Sequence, residues 1–235
     1  MNILTNSVVF LTGAAGGIGK AFIKELVNRK VSKIYITGLD LNILQEIAKE
    51  FPNIIVPVKL DVTNSKEISE CVNKYLDVTI LINNAGVELK SSFLNPKSAE
   101  LAKFEMSVNY IGVVDLTNQF INILKSNKNP AIVNILSVGS LILVKKIETY
   151  CASKTATHIF TQSIREELKN EIIVFGVYPG YVDTSMVADI DTNKITPEAL
   201  VANICDDILK GELDIFPDTM SINYRNSNKL KLDYL

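Results

Sequence analysis

The chain of 235 residues is 47% hydrophobic and 21% charged, with 24 Lys plus Arg against 26 Asp plus Glu. That length suits one large α/β domain with a covered core, and a formal charge of −2 excludes a nucleic-acid or anionic-membrane partner held by bulk charge. Three cysteines without C-x-x-C spacing and a single histidine argue against disulfides, zinc or any other metal, and a Ser-His-Asp triad.

In chain order, short β-branched runs alternate with stretches of helical period, the pattern of β-α units that feed a parallel sheet. Residues 7–12 read as the first strand, which runs straight into "TGAAGGIG" at 12–19. Gly13, Gly17 and Gly19 there would let backbone N–H groups approach a pyrophosphate at the start of the helical stretch 18–30. A second strand over 33–37 leads to Gly38, Leu39 and Asp40. Asp40 has two readings, a ligand for the adenosine ribose hydroxyls or the N-cap of a helix over 42–51.

A third strand is expected over 54–60, and Asn64 with Glu67 predicts a capping box for a helix over 64–75. The fourth, fifth and sixth strands fall at 78–83, 131–136 and 172–178, with a helical stretch over 156–170 between the last two. Several of these strands are apolar at nearly every position, as expected when helices cover both faces. Thr196 before Pro197 predicts an N-cap followed by the proline favoured at the first helical position. The polar tail over 218–235 is expected to be loosely held. No run approaches the ~18 to 20 apolar residues of a membrane span, and the N-terminus lacks a signal-like pattern, so a cytoplasmic protein is expected.

The chemistry-bearing residues cluster late in the chain. Tyr150 and Lys154 in "YCASK" are four apart on helical sequence, which puts both on one face with Cβ atoms roughly 5 to 6 Å apart. Lowering a phenol from about 10 to about 7 takes roughly 4 kcal/mol, and a unit charge at about 4 Å in an effective dielectric near 20 supplies a comparable amount. Ser137 lies just past the fifth strand, where a loop at the C-terminal edge of the sheet would hold it. His158 and Cys151 read as buried packing residues.

Five motifs stand in order: "TGAAGGIG" at 12–19, "LDVT" at 60–63, "NNAG" at 83–86, Ser137 with Tyr150 and Lys154, and "PGYVDT" at 179–184. With them the chain resembles a compact short-chain dehydrogenase/reductase over about 7–218. The resemblance implies a Rossmann-type, doubly wound parallel sheet flanked by helices, in a single domain over 1–235 with a short substrate lid at 183–196. It implies an NAD(P)-dependent oxidoreductase that interconverts a secondary alcohol and a ketone or aldehyde. In that family the tyrosine matching Tyr150 exchanges the proton and the serine matching Ser137 holds the substrate oxygen. The lysine matching Lys154 holds the nicotinamide ribose and depresses the phenol's pKa, while the asparagine matching Asn109 supports a proton relay through water.

By the same resemblance Gly13, Gly17, Ile18 and Gly19 would bind the cofactor, with Asp40 at the ribose and Asp61 and Val62 at the adenine. Asn83, Ala85 and Gly86 would line its channel, with Tyr150 and Lys154, while Pro179, Gly180, Val182 and Thr184 cover the nicotinamide amide. Gly16 and Leu39 stand where NADP users of the family carry a cation, which points to NAD over NADP. The usual acid at the end of the second strand is displaced from Gly38 to Asp40. The family pairs through the helices that begin here near Ser107 and Thr149, so a homodimer or homotetramer is implied, with a fairly open pocket for a small alcohol or carbonyl substrate. The rival reading is a catalytically silent dinucleotide-binding regulator or scaffold of the same fold.

Overall fold

The computed structural model describes residues 2–232, with side chains to residue 227; Met1 and positions 233–235 of the expected domain and tail lie outside the described residues. The strands are β1 (Val8–Leu11), β2 (Lys33–Gly38), β3 (Ile55–Lys59), β4 (Ile80–Asn83), β5 (Ala131–Ile135), β6 (Ile173–Val177) and β7 (Asp214–Ile215). The helices are α1 (Gly17–Asn28), α2 (Leu41–Ala48), α3 (Ser65–Lys74), α4 (Ser98–Met106), α5 (Gly112–Ser126), α6 (Glu148–Leu168), α7 (Pro197–Lys210) and α8 (Thr219–Leu232). All seven strands are parallel in the order β3-β2-β1-β4-β5-β6-β7. The order reverses between β1 and β4, and ligands of such sheets sit outside the strands' C-terminal ends at that point.

The period of two in the strands decides which layer each residue serves. Val9, Leu11, Ile80, Ile82, Val133 and Val177 face a core completed by Phe22 and Leu26 of α1 and Leu200 and Ile204 of α7. Phe10, Leu81, Ile132 and Val174 face the opposite core, closed by Ile68 of α3, Leu116 and Phe120 of α5, and Ile164 of α6. With both faces covered, each buried Leu, Ile or Phe contributes on the order of 1.5–3 kcal/mol.

Several sequence expectations shift in detail. Most strand ends are shorter than expected, because buried residues beyond the ladder are bonded elsewhere: the Ser7 hydroxyl donates to the Leu4 carbonyl at 2.6 Å and the Thr12 hydroxyl to that of Ile82 at 3.3 Å. The helix ahead of Asn109 begins at Ser98 rather than near Ser107, and Ser107–Ile111 form a π-helical turn between α4 and α5. Asn64 caps α3 through the N–H groups of Lys66 and Glu67, but Glu67 Oε2 accepts from the Asp61 N–H at 2.9 Å, so the reciprocal half of the capping box is displaced by three residues. Thr196 caps α7 as expected, accepting from the Ala199 N–H, with Pro197 at the first position.

The tail departs most. Asp218 is buried, Ser221 is fully buried, and α8 begins at Thr219. Polar composition misled here because Asp218 and Ser221 satisfy each other's hydrogen bonds while buried. The two-residue strand β7 was also missed. It is carried by "DI" inside a polar stretch, too short for a period to register.

Candidate active site

The loops that leave β1, β4, β5 and β6 meet at the C-terminal edge of the sheet. After β1 the chain turns through Gly13, whose φ of +65° suits glycine, and a Cβ there would lie 2.8 Å from Ala85 Cα. A Cβ on Gly19 would lie 2.4 Å from the Gly13 carbonyl oxygen, so the turn packs directly on the first turn of α1. Asn84 Nδ2 holds the turn from beneath, donating to the carbonyls of Thr12 at 2.8 Å and Gly13 at 3.1 Å. No side chain caps α1, whose N-cap is Gly16. A backbone turn stripped of side chains, leading into an uncapped helix start, fits a dinucleotide pyrophosphate.

One cleft beside this turn is lined by Ile18, Gly86, Ser137, Tyr150, Lys154, Pro179, Gly180, Val182 and Thr184 together. Ala85 packs on Gly13 and Thr184 on Gly17. The structure thus gathers most of the predicted residues at one place. Asp61 and Val62 follow β3 on the other side of the switch point, where the Asp61 carboxylate accepts from the Thr63 N–H and hydroxyl. Asp40 caps α2, its Oδ1 accepting from the Asn42 N–H at 2.8 Å and that of Ile43 at 3.3 Å. The Asn83 side chain leaves the channel for the core, donating to Thr117 and to Asn134 of β5.

Tyr150 and Lys154 lie on the first turns of α6 and are both buried. Lys154 Nζ donates to the Ile135 carbonyl at 2.8 Å and sits 5.8 Å from the Tyr150 ring centroid. Burial brings its pKa down to about 8. The Tyr150 phenol is pushed up from its ordinary value by burial and by the Glu88 carboxylate, with only the Ser137 hydroxyl acting the other way. Burial disfavours the phenolate more than the neighbouring hydroxyl favours it, and the depression by Lys154 that the resemblance implies is not among the causes of this shift.

Ser137 also caps the short 3-10 turn Val138–Ser140, accepting from the Gly139 N–H at 3.0 Å, which fixes its hydroxyl beside the phenol. Asn109 occupies the π-helical turn, a feature often found at functional sites. Its amide is fully engaged: Oδ1 accepts from the Val87 N–H at 2.9 Å, and Nδ2 donates to the Val87 carbonyl and the Ser153 hydroxyl. A Cβ on Gly86 would lie 3.3 Å from Asn109 Oδ1 and 3.4 Å from Lys154 Nζ. Asn109 thus pins the loop that carries Gly86 past the lysine, and its own carbonyl accepts from the Thr157 hydroxyl.

Sequence reasoning singled out neither Glu88 nor Met220, which both line the cleft. Glu88 follows "NNAG" by two and could have been flagged as the one acid near that motif. Met220 carries no local signal, and neither does Asp218, which holds the cleft wall by accepting from the Gly180 N–H at 2.8 Å. Among the described residues no cluster of three or more His, Cys, Asp or Glu could hold a metal, and no helix is long and apolar enough to cross a membrane.

Comparison with known proteins agrees with this geometry. A family model described as short chain dehydrogenase matches residues 7–195. An uncharacterized oxidoreductase of Staphylococcus saprophyticus is 32% identical over 197 residues, covering 80% of this chain and 83% of the relative. An NADP-dependent 3-hydroxy acid dehydrogenase of Schizosaccharomyces pombe is 28% identical over 193 residues, covering 78% and 74%. Among solved structures, a short chain dehydrogenase from Burkholderia cenocepacia in complex with NADP superposes with a TM-score of 0.90 at 29% identity, covering 97% of this chain and 94% of that one. With the glycine turn, the switch point and the Ser137, Tyr150 and Lys154 cleft all in place, the chain belongs to the short-chain dehydrogenase family and is an oxidoreductase of that class.

Proposed function

We propose that the protein interconverts a secondary alcohol and a ketone or aldehyde with NAD or NADP, and that Tyr150 moves the proton. The observation that carries this reading is the meeting of Ser137, Tyr150 and Lys154 in one cleft beside the glycine turn. The cofactor, when bound, supplies the hydride donor or acceptor. Gly13, Gly17 and Gly19 with the start of α1 would hold its pyrophosphate, and Pro179 to Thr184 its nicotinamide end. The Ser137 hydroxyl orients the substrate oxygen toward the Tyr150 hydroxyl. In reduction the phenol donates its proton to that oxygen, and in oxidation the phenolate withdraws it. Lys154 places a positive charge beneath the site and favours the phenolate, while Asn109 holds the Gly86 loop against it.

A panel of alcohols and ketones followed by nicotinamide absorbance tests this, run beside Tyr150→Phe. General acid–base catalysis contributes roughly 10²–10⁴-fold, so the variant should lose about that factor in kcat while still binding cofactor. Full activity in the phenylalanine variant sinks the assignment.

Our reading of cofactor choice is NAD, because Gly16 and the exposed Leu39 offer no charge to a 2′-phosphate and Asp40 would repel one. NADP is the second reading. It is favoured by Lys59, which the β2–β3 register sets opposite Gly38. Titration with both cofactors decides, and tighter binding of NADP removes the preference. We assign the lid to 183–196, a reading supported by the Val182–Ile195 bridge and by Met186 and Val187, which line the cleft. Exposed Phe104, Ile111 and Ile159 on the helices around Asn109 and Tyr150 support a homo-oligomer, which sedimentation would detect. A cytoplasmic location completes the proposal.

A further inference from the structure

Among the described residues, Glu88 is the one carboxylate that lines the cleft. It is half-buried, and its Oε1 is shut off from solvent without any hydrogen-bond partner. A carboxylate held this way is costly to keep until something supplies a donor or a positive charge. Lys90, two residues on, supplies part of that charge but is itself ion-paired with Asp189. Glu105, fully buried on α4, accepts from the Leu89 N–H and leaves Oε2 unpartnered, so it adds negative charge nearby. Lys154 is the only basic residue lining the cleft among those described, and it is committed to the Ile135 carbonyl. The rest of the wall near Tyr150 is apolar: Val138, Val144, Ile147, Met186, Val187 and Met220.

We propose that Glu88 selects the substrate: an alcohol or ketone with an apolar body and a protonated amine close to the reacting carbon. The ammonium would pair with the Glu88 carboxylate at the oxygen left accessible, while the apolar wall takes the remainder. An anionic group in the same place would meet Glu88 and Glu105 together, so hydroxy acids are rejected. The inference rests on the oxidoreductase reading for the word substrate, but the binding site itself does not.

Three ligands sharing one hexyl-substituted carbinol test it: one carries a vicinal ammonium, one a methyl in its place, one a carboxylate. Binding is measured by calorimetry on the wild-type protein, Glu88→Gln and Glu88→Ser, and turnover separately by nicotinamide absorbance. A hydrogen bond to a charged group is worth roughly 1.5–3 kcal/mol. The wild type should therefore prefer the ammonium over the methyl ligand about tenfold or more, with the carboxylate weakest, and both variants should bring the preference close to unity. Equal binding by the wild type, or a preference that survives in both variants, overturns the proposal. If binding depends on Glu88 but no ligand is turned over with either cofactor, the site stands and the oxidoreductase reading of it falls. If all three turn over with no dependence on Glu88, the reverse holds.

Discussion

Lys154 shows how much of a buried ammonium's cost is carried by the fold. Its ammonium is buried with one carbonyl partner, and its pKa falls from 10.5 to about 8. A lysine that is harder to protonate in the folded state destabilises it fully below about pH 8, and the penalty fades as the pH rises toward 10.5, where the unfolded chain also gives up the proton. Lys154→Met removes the ammonium while keeping the stem. At pH 7.5 it should raise unfolding stability by up to about 3 kcal/mol, and the gain should shrink as the pH approaches 10.5. Denaturant melts of both proteins across that range check the sign, and a gain that grows with pH would falsify the buried-cation account. Tyr150 complements this: with its pKa raised, the phenol stays protonated at neutral pH, the form in which the proposed reduction would use it. Carbonyl reduction should hold steady near neutrality while alcohol oxidation rises as the pH increases, as initial rates in the two directions would reveal.

At the scale of elements, the site depends on turns that tolerate no added atoms and on strands that share two cores. Gly13 combines a positive φ with a backbone contact that a methyl group would violate. Gly13→Ala should cost about 2 kcal/mol or more from the strained conformation. It should also weaken dinucleotide binding, since the Thr12–Asn84 tie must shift; thermal melts with and without cofactor separate the two effects. Phe10 tests the layer assignment. It is fully buried in β1, facing α5, with its ring centroid 4.8 Å from that of Phe120. Phe10→Ala should cost about 3–5 kcal/mol, and because the ring faces away from the glycine turn, cofactor affinity of the surviving folded protein should change little. A large change in affinity at full folding would contradict the placement.

For the whole molecule, what the sequence disclosed follows period and motif. Apolar runs such as "VVFL" and "ILIN" could only be strands covered on both sides, and both cores bear this out. Tyr150 and Lys154 were legible because four residues on a helix share a face, and Ser137 because a strand end precedes it. The unread parts of the site come from contacts between segments far apart in the chain. Asp218 bonding Gly180, Met220 lining the cleft and Tyr224 donating to the Leu141 carbonyl at 3.1 Å all span distances that no local pattern records. These contacts make the C-terminal segment part of the cleft wall rather than a loose tail. Ending the chain after Pro217 tests that. Both large cores are built from residues before this point, so the shortened protein should keep its secondary structure. It would lose the Gly180–Asp218 bond and the packing of Met220 and Tyr224, and each hydrogen bond lost contributes about 1 kcal/mol. For a chain of this size that lowers Tm by roughly 2–4 °C per kcal/mol. With one wall gone and Tyr150 untouched, KM should rise about tenfold or more while kcat falls only a few-fold, because substrate is held less well but meets the same phenol. Steady-state kinetics on a substrate found in the panel decide it: an unchanged KM would mean that the segment packs beside the cleft without shaping it.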